Sequence, residues 1–139
     1  MRLNCILLVD DDEITNFLNK KILENIDAAA HILSVESGEE ALDYLERAGK
    51  YEYAELPKPD LILLDINMPG IDGFEFMERY KTLTGRQKGD MVIVMLTKTI
   101  FQHDEIRAST INDIQAFKYK PLTEDLAREI IECYFAQSA

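Results

Sequence analysis

Short unbroken apolar runs alternate along the chain with longer stretches whose apolar residues recur every three or four positions. Residues 5–9, 61–64 and 91–96 are almost entirely aliphatic. Runs of that length fit strands covered on both faces, because a parallel sheet carries helices above and below it. Residues 31–35 and 116–119 are shorter or more mixed, as strands toward the sheet edges would be. Five strands are therefore expected.

The intervening stretches have helical period. Ile14, Phe17, Leu18, Ile22 and Leu23 mark a first helix by their spacings of three and four. Ser37 and Glu40 form a capping box that opens a second, with Ala41, Leu42 and Leu45 as its inner stripe. Asp72 and Glu75 repeat the device before Phe74, Met77 and Tyr80 of a third. Residues 102–109 read as a short, weakly patterned fourth helix. Thr123 caps the fifth, which carries Leu126, Ile130 and Tyr134 on one face, with Ala127, Ile131 and Phe135 beside it. This order is βα repeated five times: an α/β fold, (βα)5, with a doubly wound five-stranded parallel sheet. The one long connection, residues 49–60, reads as an ordered surface loop, and residues 1–139 as a single domain.

Charge narrows the partners. Fifteen Lys and Arg stand against 26 Asp and Glu, for a net charge of −11. That balance repels phosphate backbones and anionic lipid, so neither nucleic acid nor membrane is expected as a partner. No apolar stretch approaches the roughly 20 residues needed to span a bilayer. Cys5 and Cys133 form no CxxC pair and read as two reduced, buried thiols, consistent with a cytoplasmic protein.

In doubly wound sheets, ligands bind outside the carboxyl ends of the strands. The first strand here ends in Asp10-Asp11-Asp12, the third in Asp65, the fourth in Thr97 and the fifth in Lys120-Pro121. Any one of these aspartates could be a helix cap or a turn residue. Converging together, they make an all-oxygen pocket with one ammonium. Carboxylates in such a cluster repel one another by about 1–4 kcal/mol per pair. A hard divalent cation such as Mg²⁺ relieves that repulsion. His31 and His103 have no metal-binding neighbours in sequence and read as packing or solvated residues.

Four segments carry a family resemblance: Leu7 to Asp12; Asp60 to Asp65 followed by Ile66-Asn67-Met68-Pro69-Gly70-Ile71-Asp72-Gly73; Val94 to Thr97; and Phe117 to Pro121. In order and spacing they resemble the receiver domain of two-component response regulators, over essentially the whole chain. The resemblance implies the flavodoxin-like receiver fold, with Asp65 as phosphoacceptor. It implies a Mg²⁺ site from Asp11, Asp65 and the Asn67 backbone carbonyl, with Asp10 reaching the ion through water. Lys120 and Thr97 would contact the phosphoryl oxygens, Phe117 would be the aromatic switch, and Lys120-Pro121 would be cis. Lys98 departs from the pattern, because the residue after the switch hydroxyl is usually small in this family. It would crowd the site, contact the phosphate or extend to solvent. Asn67 and Thr99 hold the two positions that tune dephosphorylation, and neither is an acid, which points to a long-lived phosphoryl state.

The expected function is a phosphorylation-switched module of a two-component system or phosphorelay, similar to the stand-alone chemotaxis regulators. It would catalyse only its own phosphorylation and dephosphorylation and is not otherwise an enzyme. Its donor would be a sensor histidine kinase or a histidine phosphotransfer protein. Its effector would be a protein that reads the face made by the fourth helix, fifth strand and fifth helix, with homodimerisation left open. A receiver-like module working without phosphate is the main alternative. An aspartyl-phosphate phosphohydrolase would need an acid where Asn67 stands. A flavin domain would need a Ser/Thr/Gly-rich phosphate loop after the first strand.

Overall fold

The computed structural model describes residues 2–52, 55–83, 91–98 and 102–135. Strands β1 (Leu3–Val9), β2 (Ala29–Val35), β3 (Leu61–Asp65), β4 (Val92–Thr97) and β5 (Ile114–Tyr119) alternate with helices. The helices are α1 (Glu13–Asn25), α2 (Gly38–Glu46), α3 (Gly73–Tyr80), α4 (Gln102–Ser109) and α5 (Glu124–Phe135). All strand pairs are parallel, in the order β2-β1-β3-β4-β5. The two mixed segments are indeed the edge strands. The chain moves to one side of β1 for β2 and to the other for β3, and this reversal opens a crevice beyond the carboxyl end of β1.

Strand alternation divides the core in two. Leu7, Val9, Ile62, Leu64, Ile93 and Met95 pack with the buried residues of α2 and α3. Ile6, Leu8, Leu61, Leu63, Val94 and Leu96 face the other layer, with Leu23 of α1 and Ala127, Ile130 and Ile131 of α5. Both faces of the central strands are thus covered, which is why they read as unbroken apolar runs. At the amino end of the sheet, the Asp60 carboxylate accepts from the backbone N–H groups of Asn4 and Cys5, at 2.8 and 3.2 Å.

Three local expectations need correction. The apolar spacing that marks α1 is only partly its buried face: Ile14, Phe17 and Leu18 are 69, 60 and 53% exposed, while Leu23 points inward with Asn16 and Asn19 and Ile22 packs half-buried against the core. The helix begins at Asp12, whose carboxylate accepts from Ile14 N–H and the Thr15 hydroxyl. Its first turns lie against the polar ends of β1 and β2, where a carboxamide finds partners that an aliphatic side chain cannot offer. Second, the Ser37 box is only half formed. Ser37 accepts from Glu40 N–H, but the Glu40 carboxylate takes Glu36 N–H, Tyr51 Oη and Lys50 instead of reaching back to Ser37. The Asp72–Glu75 box is complete. Third, Cys5 is buried but Cys133 is exposed on the outer side of α5. Burial pushes the Cys5 thiol up to about 11, so it is inert at neutral pH.

Candidate functional site

The acidic residues of the strand ends meet. Asp10 follows β1, Asp65 ends β3, and oxygens of Asp10, Asp11 and Asp65 all lie within 4.8 Å of one another. Asp10 and Asp65 are buried, at 5 and 7% exposure, whereas Asp11 is exposed. Lys120 closes the group from the end of β5. Its ammonium donates to Asp10 at 2.5 Å and pairs with Asp65 at 3.2 Å. Asp10 also accepts from Asp12 N–H at 2.9 Å. Asp12 belongs to the helix cap rather than to the pocket, and its hydrogen bonds from Thr15 and Ile14 hold its carboxyl below the ordinary value.

Burial dominates the electrostatics of Asp65. It pushes the carboxyl up to about 6, with Lys120 pulling it down and Asp10 and Asp11 pushing it further up. Burial acts to lower Lys120, but its hydrogen bond to Asp10 and the charges of Asp65 and Asp10 outweigh it and keep the ammonium protonated. The pocket therefore holds more negative than positive charge, all of it on oxygen. That donor set fits a hard divalent cation such as Mg²⁺.

Local geometry explains the positioning. The loop after Asp65 turns back so that Gly73 N–H donates to Ile66 O at 2.7 Å, bringing the first turn of α3 against the acidic strand end. A Cβ at Gly73 would sit 2.8 Å from Asp65 O and 2.9 Å from Ile66 Cα, so only glycine fits there. Gly70 takes φ +77° in the same loop, the left-handed region that favours glycine. Asn67 lies exposed in this loop, two residues beyond Asp65.

Thr97, at 1% exposure, ends β4 beside Tyr119 of β5, and its carbonyl accepts from Lys120 N–H at 2.7 Å. The Lys120–Pro121 peptide is cis. Phe117 is half-buried against the core and meets Tyr119 edge-to-face at 5.7 Å between ring centroids. Lys98 is exposed; it lines a groove of about 540 Å³ with Lys21, Lys120, Leu18, Ile22 and Leu122. Thr99 lies outside the described residues. His31 and His103 are both exposed, and His103 Nε2 lies 3.3 Å from Asp104.

Sequence reasoning missed Asn16. Its carboxamide is 4% exposed and donates to the carbonyls of Asp10 and Val35, at 2.8 and 3.3 Å. A polar residue six positions after Asp10 on a helix next to an acidic pair was the available signal. A solvated asparagine would have looked the same.

A buried carboxylate flanked by two more and paired with a lysine thus sits at the switch point of a parallel five-stranded sheet. The response regulator receiver domain model matches residues 6–132. The chain belongs to that family, the phosphorylation-switched signalling modules of two-component systems, phosphorylated on aspartate. It is 31% identical over 128 residues to the probable methanogenesis regulatory protein FilR2 of Methanothrix harundinacea, covering 91% of this chain and 79% of that one. It is 32% identical over 104 residues to response regulator Rcp1 of Synechocystis sp., covering 75% and 67%. Among solved structures, a two-component response regulator from Cytophaga hutchinsonii superposes with a TM-score of 0.84 at 28% identity, over 99% of this chain and all of that one. The phosphorylated cyanobacterial phytochrome response regulator RcpA superposes at 0.77 with 27% identity, over 99% and 96%. Receiver domains are signalling modules rather than classical enzymes. Among the described residues, no helix is long and apolar enough to cross a membrane.

Proposed function

We propose that Asp65 is the phosphoacceptor of this receiver domain. The observation carrying this is the Asp65 carboxylate, buried between Asp10, Asp11 and the Lys120 ammonium at the strand ends. A carboxylate oxygen of Asp65 attacks the phosphorus of a phosphohistidine. A P–O bond forms, the P–N bond breaks, and the imidazole leaves with the electron pair. Little covalent help is needed in such a transfer, so positioning and fixed positive charge supply most of the catalysis. With its carboxyl at about 6, Asp65 is mostly ionised at pH 7 and still a weak nucleophile.

The carboxylates of Asp11 and Asp65 and the backbone carbonyl of Asn67 would hold Mg²⁺, with Asp10 reaching it through water. When bound, Mg²⁺ supplies positive charge that offsets the repulsion between the carboxylate and the phosphoryl oxygens. Lys120 contacts the incoming phosphoryl oxygens, and Thr97 hydrogen-bonds one of them after transfer. The fixed tie between Lys120 N–H and Thr97 O supports their acting together.

The histidine donor, a sensor kinase or a phosphotransfer protein, approaches beside α1. Ile14, Phe17 and Leu18 form an exposed apolar patch there, and Lys21 and Lys98 line the adjacent groove. Lys98 meets the donor's negative charge at the rim without filling the pocket. Output runs through α4, β5 and α5, with Phe117 turning inward as Thr97 moves. Weak seating of α4 supports this: Ala108 is its one buried residue. A protein effector reads that face, with or without pairing of two copies. Neither Asn67 nor Thr99 is an acid, which favours a slow return to the unphosphorylated state. Two free cysteines, Cys133 exposed and Cys5 buried, fit a reducing, cytoplasmic setting.

Intact mass after incubation with acetyl phosphate and Mg²⁺ tests the reading. One added phosphoryl group is expected, absent without Mg²⁺ and absent from Asp65→Asn. No adduct on the wild type, with Mg²⁺ shown to bind, would instead favour a module that works without phosphate.

A further inference from the structure

Asn16 is out of place for a residue that serves stability alone. It occupies the buried face of α1 with Asn19 and Leu23, where an aliphatic side chain would be the ordinary choice. Its Oδ1 is buried and, among the described residues, has no hydrogen-bond partner. Burying an unpaired acceptor is unfavourable. The side chain is nonetheless fully committed on its other atom. Nδ2 donates to Asp10 O at 2.8 Å and Val35 O at 3.3 Å.

The first of those bonds matters most. The carbonyl of Asp10 belongs to the peptide that joins Asp10 to Asp11. Rotation of that peptide plane swings two of the three clustered carboxylates, one on each side of it. The other restraints on Asp10 act elsewhere: its N–H donates to Val35 O at 3.2 Å, and its carboxylate is held by Lys120 and Asp12 N–H. Among the hydrogen bonds described, the Asn16 carboxamide is the one that grips this peptide carbonyl. It does so from α1, whose own start is fixed by the Asp12 cap.

We propose that Asn16 is a positioning residue for the acidic pocket: by holding the Asp10–Asp11 peptide, it sets both carboxylates for a divalent cation beside Asp65. The inference rests on the phosphoacceptor reading above and deepens it. Residues that orient metal ligands from behind typically change affinity by about 10- to 100-fold when removed. The lower end applies here, because Asp10 keeps its bonds to Lys120 and Asp12.

The test uses the full chain and titrates Mg²⁺ alone by calorimetry, at a temperature far below unfolding, with urea midpoints measured in parallel. Asn16→Ala and Asn16→Leu should each weaken Mg²⁺ binding about tenfold. Asn16→Leu removes the orphan acceptor but also takes the donor from Asp10 O, so both variants should lower the urea midpoint, and affinity is compared where each remains folded. Leu23→Ala, about two turns further along the same buried face and packed in the apolar core, is the control. It should lower the urea midpoint and leave Mg²⁺ affinity unchanged. Mg²⁺ affinity unchanged in both Asn16 variants would overturn the proposal, as would an equal loss of affinity in Leu23→Ala. A wild type that binds no Mg²⁺ would overturn the phosphoacceptor reading itself, and the inference with it.

Discussion

Asp65→Asn should make the metal-free protein more stable, by an amount that depends on pH. In the folded protein the Asp65 carboxyl lies at about 6, against 3.8 for the free group, mainly because burial penalises its charge. At 1.36 kcal/mol for each tenfold, that difference amounts to about 3 kcal/mol of destabilisation when the group is ionised in both states. A carboxyl raised on folding contributes stability that is fully present below 3.8 and is lost as pH rises through about 6. The asparagine carries no charge to desolvate, so the variant escapes this loss. It gives up the 3.2 Å pairing with Lys120, but that attraction already counts toward the value of about 6. In EDTA at pH 8, urea unfolding should show Asp65→Asn more stable than the wild type by about 1–3 kcal/mol. The gain should begin to shrink near pH 6, fall to about a third by pH 4.5 and vanish only below 3.8. A gain that did not vary with pH, or a loss at pH 8, would refute the assignment of a desolvated carboxylate at this position. Saturating Mg²⁺ should narrow the gap at pH 8 by stabilising the wild type more than the variant.

Three further outcomes follow from particular contacts. Gly73→Ala forces a Cβ to within 2.8 Å of the Asp65 carbonyl, a backbone atom that cannot swing aside, and should cost about 2–3 kcal/mol in urea unfolding. Phe17→Ala, on the exposed face of α1, should change stability by no more than about 0.5 kcal/mol. It should slow transfer from a phosphohistidine protein donor while leaving the rate with acetyl phosphate unchanged. Tyr119→Phe removes the 2.9 Å hydrogen bond to Glu105 that ties β5 to α4. It should speed amide exchange in residues 102–109 with little effect on β1 or β3, since the lost contact is local.

The acidic pocket was legible because it depends on strand ends. Asp10, Asp11, Asp65, Thr97 and Lys120 each follow or close an apolar run, and a parallel sheet aligns those ends whatever lies between them. The two-faced core was legible for the same reason, since residues 61–64 and 91–96 have no polar side to expose. The phase of α1 was not legible. Five apolar residues at helical spacing mark the helix, but of these Leu23, with Ile22 half-buried, meets the core, while Phe17 and Leu18 turn outward and Asn16 inward at the polar ends of β1 and β2. Periodicity counts apolar positions; it cannot tell a face that meets core from one that meets solvent or a partner. The Ser37 box failed for a similar reason. Glu40 had better partners in Tyr51 and Lys50, and neither is near it in sequence.

The most direct measurement locates the phosphoryl group itself. After phosphorylation with acetyl phosphate and Mg²⁺, borohydride reduction converts an aspartyl phosphate to homoserine, and peptide mass spectrometry then reads its position. Homoserine at residue 65 alone is the predicted result. Homoserine at residue 10, 11 or 12, with Asp65 intact, would contradict the account.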